Sequence, residues 1–453
     1  MEKYDIVIIG GGPAGIVTAT TAQKEYQDKS ILIIKEGENG LVPCGIPYIF
    51  HELGDVEKNK TSPKPFVDGG GSVLIDRVTE VDTEEQVLTT AAGEKIGYDK
   101  LVFATGSKPI QPGFLKGFNP AHVELISKSY SAMKELKEKV DNVNKIIVLG
   151  SGFTAVEVAE QLALETDKEV HLVFRSEHCL HRAFSSEFAA MINQGLAESG
   201  VILHAKSQVA ELVCNESEHK VILNSGEVLE GDMVIAALGF DANVELAENS
   251  GIDINDNKHI KVDNYQRTNK HNVYAVGDCS QTTGFITGRN DNIMLASLAA
   301  AEARVLGHNL FKIRIKRNFP GTLSVFATEI NKTIFASAGA RENDAEEANI
   351  SYIVSSFSDI DRHPGTFSDT NKLTVKLVVM PEDGQIIGGE VIGSKSSAEL
   401  INLISLAIQK YVTVYELISF QIGSHPKLSG APTKNVLIKA AENAIRKIAS
   451  LKS

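Results

Sequence analysis

One short pattern occurs twice in this chain and restricts its fold more than any other feature. Tyr4 to Ile9 is a strand-like run, apolar throughout from Ile6, that ends in Gly10-Gly11-Gly12-Pro13-Ala14-Gly15 and is followed by an Ala/Thr-rich helical stretch to Gln23. Lys145 to Leu149 repeats the run, Gly150-Ser151-Gly152-Phe153-Thr154-Ala155 repeats the turn, and a second helical stretch reaches Leu164. Buried strand, glycine turn and helix in that order open a βαβ unit that binds a dinucleotide. Gly10 permits the sharp turn, Gly12 lets a pyrophosphate approach the backbone, and Gly15 lets helix pack on strand. In the second copy Gly150 and Gly152 take the first two roles, Ala155 stands at the third, and Glu157 lies in the opening turns of the helix. An internal repeat of this kind predicts two nucleotide sites on an α/β framework.

The residues after each second strand differ. Ser30 to Ile34 ends at Lys35-Glu36, where an acid hydrogen-bonds a ribose, so Glu36 is the candidate; a solvated loop carboxylate is the competing reading. Glu169 to Phe174 ends at Phe174-Arg175 with no acid in that place. Arg175, with His181 or Arg182, would there meet a 2'-phosphate, which favours NADPH over NADH; ordinary surface cations are the alternative, and Glu177 nearby argues for it.

Between the two fingerprints stands Gly40-Leu41-Val42-Pro43-Cys44-Gly45-Ile46-Pro47-Tyr48. A thiol between Pro and Gly lies on tightly turned backbone, where amides can face a sulfur anion, so Cys44 is expected to ionise more easily than a free thiol. The four cysteines, Cys44, Cys179, Cys214 and Cys279, are far apart and show no CxxC spacing. That usage excludes a local zinc site or cysteine pair and fits a reducing compartment. The start MEKYDIVIIGGG is neither a signal peptide nor long enough to span a membrane, and a net charge of -13 leaves no footprint for nucleic acid. A cytoplasmic protein of two or three domains is expected from 453 residues.

Further along, residues 54–72 read as a surface excursion, Ser72 to Val81 and Gln86 to Thr90 as paired strands, and Leu101 to Thr105 as a buried strand that breaks at Gly106-Ser107. Val273 to Val276 is another short strand ending in Gly277-Asp278, and a helix is expected from about Asn292 to Gly307. After Arg317 the composition changes to an α+β pattern, with strands at Thr322 to Val325, Thr333 to Ala338, Lys372 to Met380 and Ile386 to Val391 and helices at Ser396 to Lys410 and Thr433 to Leu451. In the last helix Val436, Ala440, Ala444 and Ile448 form one apolar stripe.

Two dinucleotide fingerprints around one cysteine, with Ala104-Thr105-Gly106-Ser107, Ala275-Val276-Gly277-Asp278 and a third domain, resemble the FAD-dependent pyridine nucleotide-disulfide oxidoreductases. The run from Cys44 to Tyr48 is similar to their single-cysteine branch, which contains coenzyme A disulfide reductases, NAD(P)H oxidases and persulfide reductases. The resemblance implies two Rossmann-like domains, for FAD (1–113 and 243–318) and NAD(P)H (114–242), and an α+β dimerisation domain (319–453). By that likeness Gly10, Gly12, Pro13, Ala14, Gly15, Lys35, Glu36, Pro43, Thr105, Gly106, Gly277 and Asp278 hold FAD. Gly150, Gly152, Phe153, Thr154, Ala155, Glu157, Arg175, Arg182 and Gly239 hold NADPH or NADH.

Several departures narrow the choice. The positions five before and five after Cys44 are Asn39 and Ile49, so the paired cysteines of glutathione reductase are absent. The family's peroxidases carry a His where this chain has Pro13. Ser424-His425-Pro426 resembles the segment with which disulfide reductases deliver an acid/base to the partner subunit, although the acid that orients that His falls at Gly430. The implied function is reduction of a low-molecular-weight disulfide, polysulfide or coenzyme A persulfide at Cys44, with His425 completing the site of a homodimer. Alternatives are an oxidase in which Cys44 cycles through a sulfenic acid, and an electron-transfer flavoprotein bound to a partner protein. Lys58, Lys60 and Lys64 are the suggestive cations for coenzyme A phosphates.

Overall fold

Strands too apolar to face water on either side build the centres of two parallel sheets. The computed structural model describes residues 1–165, 167–216, 218–315 and 320–452; the expected boundary at 318/319 lies outside the described residues. In the first sheet β1 (Glu2–Ile9), β2 (Ile31–Lys35) and β3 (Ser72–Ile75) run parallel, and helix α1 (Pro13–Glu25) joins the first two. β4 (Val78–Asp82) and β5 (Val87–Thr90) form a hairpin against the first half of β6 (Lys95–Phe103), giving the order β3-β2-β1-β6-β5-β4. The second half of β6 pairs with β1 on one side and with Val273–Ala275 on the other. Ile6, Val7 and Ile8 have no exposed surface.

One expected strand is two. Ser72 to Val81 breaks at Asp76-Arg77, where the Asp76 carboxylate accepts the Arg77 and Ala92 amides (2.7 and 3.2 Å). Its halves therefore end on opposite edges of the sheet.

The chain leaves this sheet through Ser107–Pro109 and returns through Phe240–Ala242, two segments paired antiparallel. Between them α2 (Tyr130–Val140), β7 (Lys145–Leu149), α3 (Phe153–Ala163), β8 (Glu169–Val173), α4 (Ser186–Glu198), β9 (Ile202–His204) and β10 (Met233–Ala236) form the second unit. Its strands are all parallel, in the order Glu124–Leu125, β10, β7, β8, β9. A three-stranded meander over Val209–Gly231 packs Leu212, Val221 and Leu229 onto Ile147 and Val234 of that sheet. After the return, α5 (Ala296–Asn309) packs on α1.

The last unit is an antiparallel sheet of β11 (Phe326–Ile330), β12 (Thr333–Gly339), β13 (Ile353–Ile360), β14 (Lys372–Val379) and β15 (Ile386–Gly393), in the order β11-β12-β15-β14-β13. Helices α6 (Leu400–Gln409) and α7 (Val436–Lys452) pack against it. The α7 stripe is as expected: Val436, Ala440, Ala444 and Ile448 are buried. The strand expected at Thr322 to Val325 starts instead at Phe326, because Thr322 bonds to the Thr283 carbonyl and its hydroxyl accepts the Ser324 amide, with Ser324 at φ 50°. β13 escaped the sequence reading because its inner face carries Ser355, which is buried and donates to the Ala440 carbonyl (2.8 Å).

Candidate active site

The carboxyl ends of both parallel sheets, the Cys44 segment and the last unit line one cleft of about 1900 Å³. Pockets for drug-sized ligands reach about 1,000 Å³, so this one suits longer ligands. At its first glycine turn Gly10 has φ 117°, and a Cβ on Gly10 or on Gly15 would come within 2.0 Å of a backbone oxygen. Gly12 differs: a Cβ there would meet nothing within 4 Å. It caps α1 with no side-chain bond, and Pro13 opens the helix, so free helix amides face open space as a pyrophosphate requires. The second turn repeats this, with Gly150 at φ 138°, an open Gly152 and a fully buried Ala155. The residues present therefore fit two dinucleotides.

Glu36 is exposed at the end of β2 and outside the cleft lining, while Lys35 is buried, covers Gly11 with its methylenes and donates to the Glu38 carbonyl (3.2 Å). Thr105 and Gly106 hold the crossing chain: Thr105 Oγ1 donates to the Asn243 carbonyl (2.6 Å) and the Asn243 amide donates to Gly106 (2.9 Å). Gly277, at φ 82°, packs on Ala14, and its amide donates to Glu302 Oε2 (3.0 Å). Asp278 accepts Ser107 Oγ (2.7 Å) and Lys128 Nζ, and Lys128 also reaches Ser107 Oγ (2.6 Å) and the Phe240 ring (4.6 Å). Sequence reasoning missed Lys128 and Glu302, because their partners arrive from other parts of the chain.

Cys44 sits in a 3-10 turn, Pro43–Gly45, with Pro43 first. Asn59 Nδ2 donates to the Val42 carbonyl (3.0 Å), and a Cβ on Gly45 would strike the Asn59 carboxamide at 2.1 Å. The segment is fastened to α3 and to the turn after it: the Glu52 amide donates to Gln161 Oε1 (3.0 Å) and His51 Nδ1 lies 2.8 Å from Glu165. Cys44 is the one exposed cysteine; Cys179, Cys214 and Cys279 are buried.

The Cys44 pKa lies above the ordinary thiol value, not below it as its local turn led one to expect. The sulfur opens on the cleft, yet the walls around it desolvate the thiolate and push the pKa up, and Glu157 pushes the same way. Lys128 and the Ala296 amide pull it back, while Asp278 adds to the rise. That amide belongs to the first residue of α5, which starts at Ala296 and not at Asn292, so Asn292 to Met294 line the cleft as a non-helical approach. Burial raises Glu157 to about 7 although Thr328 Oγ1 donates to it (2.8 Å). Tyr48, also on the cleft, is pushed up by burial and then by Glu157.

On the other side of the cleft stand Phe153, Thr154, Arg175, His181, Arg182 and Gly239. Glu177 turns away to Lys206 (2.8 Å), which leaves Arg175 unopposed by it. His425 is exposed in a turn closed by Ser429 and lies outside its own chain's cleft, so one chain does not bring it to Cys44. Lys58, Lys60 and Lys64 are likewise outside the lining, with Lys60 paired to Glu57 (3.0 Å).

Two Rossmann-like units meeting over one thiol, with a third sheet beside them, define a flavin- and nicotinamide-dependent oxidoreductase. The chain belongs to the pyridine nucleotide-disulphide oxidoreductases: residues 4–303 match that family's model and residues 330–436 its dimerisation domain. It is an FAD-dependent NAD(P)H oxidoreductase. It is 30% identical over 405 residues to the NAD(P)H sulfur oxidoreductase (CoA-dependent) of Pyrococcus furiosus, covering 87% of this chain and 89% of that protein. To the NADH oxidase of Methanocaldococcus jannaschii it is 27% identical over 462 residues, 98% of this chain and 99% of that one. Among solved structures, the NAD-dependent persulfide reductase from A. fulgidus superposes with a TM-score of 0.89 at 27% identity, over 99% of this chain and 84% of that one. No described helix is long and apolar enough to cross a membrane.

Proposed function

We propose that this enzyme uses NADPH and FAD to reduce a low-molecular-weight disulfide, polysulfide or coenzyme A persulfide at Cys44. The observation that carries the reading is the isolation of that thiol: it alone of four cysteines opens on the cleft, so the second sulfur of any disulfide must come from the substrate. The names of the Pyrococcus and A. fulgidus relatives support it. FAD would lie along the Gly12 turn with Asp278, Ser107 and Lys128 at its sugar; NADPH would lie along the Gly152 turn with Arg175 and Arg182 at its 2'-phosphate. We divide the chain into 1–113 with 243–318, 114–242, and 319–453.

When bound, the two cofactors supply the electron pair that returns the Cys44 mixed disulfide to the thiol. The chain's own residues handle the sulfur and the proton. Lys128 and the Ala296 amide stabilise the Cys44 anion against the burial that opposes it. The thiolate attacks the substrate sulfur, a bond from Cys44 Sγ to that sulfur forms, and the substrate S–S bond breaks. The leaving thiolate takes its proton from His425 of the partner subunit.

That assignment needs a homodimer. The last unit exposes the large apolar side chains Leu406, Tyr411, Tyr415, Ile418, Phe420 and Leu428, close in sequence to His425, and a second copy is the occupant we assign to them. Four unpaired thiols fit a reducing cytoplasm.

Anaerobic turnover of NADPH against coenzyme A disulfide, glutathione disulfide and polysulfide, compared with oxygen alone, tests the reading. A sulfur acceptor should outrun oxygen. The M. jannaschii relative's name favours a second reading as an oxidase, and oxygen outrunning every sulfur compound would select it.

A further inference from the structure

β8 and β9 carry a chain of titrating side chains that the redox chemistry leaves unused. His171 Nδ1 and His204 Nε2 are 2.9 Å apart, with the rings nearly parallel at 5.2 Å between centroids. Each ring has a carboxylate at its far end: His171 Nε2 lies 2.7 Å from Glu169 Oε1, and His204 Nδ1 lies 3.7 Å from Glu227 Oε1 on the meander. Lys145 Nζ holds Glu169 in turn (2.7 Å), and His171 is only 8% exposed.

Proton counting gives this arrangement two states. Glu169 fixes a proton on His171 Nε2, and only one proton fits between the rings, on His204 Nε2. The pair stays closed with those two protons, or with a third on His204 Nδ1 facing Glu227. A fourth would set two N–H groups against each other across 2.9 Å, so the rings must part.

The carboxyl ends of β8 and β9 are joined to each other at the cleft. The Phe174 amide donates to the His204 carbonyl (3.1 Å), the Ser207 amide to the Phe174 carbonyl (2.9 Å) and the Lys206 amide to the Ser176 carbonyl (3.0 Å). Arg175 is held inside this zipper, and Lys206 pairs with Glu177 at its edge.

We propose that His171 and His204 are positioning residues, a proton-sharing pair that holds the Arg175 segment in place for the 2'-phosphate of NADPH and loosens it on acidification. The inference rests on the NADPH reading above. Burial, and then His171, push the pKa of His204 down while Glu227 opposes that shift, which favours the two-proton form of the closed pair over the three-proton form.

The test uses the oxidised, FAD-loaded enzyme with NADP⁺ and NAD⁺ as non-reducing probes, titrated by calorimetry for wild type, His204→Gln and His171→Gln. Between about pH 7.5 and about pH 5.5 the wild type should lose about tenfold more NADP⁺ affinity than either variant, with NAD⁺ binding little changed. All three proteins share the titration of the ligand's own phosphate, so the difference isolates the pair. Histidine-labelled NMR should show one downfield N–H···N proton in the wild type that vanishes in acid. Superposed affinity profiles, or imidazoles that titrate independently, overturn the proposal. If NAD⁺ binds more tightly than NADP⁺ at every pH, the NADPH reading fails, and the NMR result still decides whether the rings share a proton.

Discussion

Glu302 takes the Gly277 amide with one carboxylate oxygen, and burial lifts its pKa to about 8 although Gly277 and Ser280 pull it down. The folded protein keeps this acid neutral where the unfolded chain, with an ordinary value of 4.5, ionises it. Stability is therefore lost as pH climbs from the lower value to the higher, by on the order of a few kcal/mol. Glu302→Gln keeps an acceptor for Gly277 and removes the titration, so it should melt higher than wild type near pH 8, with the gap closing toward pH 4.5 in a pH series of thermal scans. Glu157 acts on a neighbour. Its charge helps to raise the Cys44 pKa, so Glu157→Gln should lower that pKa and speed iodoacetamide labelling of Cys44 roughly severalfold at pH about 8. Unchanged labelling would separate the two groups. Cys44 was legible in the sequence because Pro43 and Gly45 fix its local turn, and its environment was not: Glu157, Lys128 and Asp278, which set its ionisation, meet only in the folded cleft.

The two glycine turns show how an element can be read from four residues. Gly15 touches the Gly10 carbonyl and Gly12 touches nothing, so the same substitution has opposite consequences. Gly15→Ala forces a methyl onto backbone and should cost about 1–3 kcal/mol or more of stability. Gly12→Ala, at φ -77°, should fold and melt like wild type as apoprotein yet lose FAD, because its methyl fills the space where the helix amides open. Flavin fluorescence titration beside apoprotein melting distinguishes the pair; equal FAD affinity in Gly12→Ala would remove the cofactor from that turn. Elements with a repeated period were legible, α7 among them. β13 and the start of α5 were not, since Ser355 on an inner face and Leu295 before a helix carry no local signal of burial or capping.

Across the whole molecule the second parallel-sheet unit is joined to the last unit as well as to the first. Phe153 stacks on Phe326 (5.1 Å), Thr328 holds Glu157, the Ser185 amide donates to Glu390 (2.6 Å) and Arg341 donates to the His181 carbonyl (2.7 Å). The first two contacts fix helix α3, to which the Cys44 segment is fastened, against β11, and the last two hold the segment that leads into α4. The domain order was readable from the repeat, whereas this bracing was not, because it joins residues more than a hundred positions apart. We propose that electrons leave the molecule through the sulfur of Cys44. Anaerobic stopped-flow of Cys44→Ser measures it most directly: flavin absorbance should still bleach on mixing with NADPH, and no disulfide or polysulfide should restore it. Reoxidation by those acceptors at the wild-type rate would mean that electrons leave by a route other than Cys44.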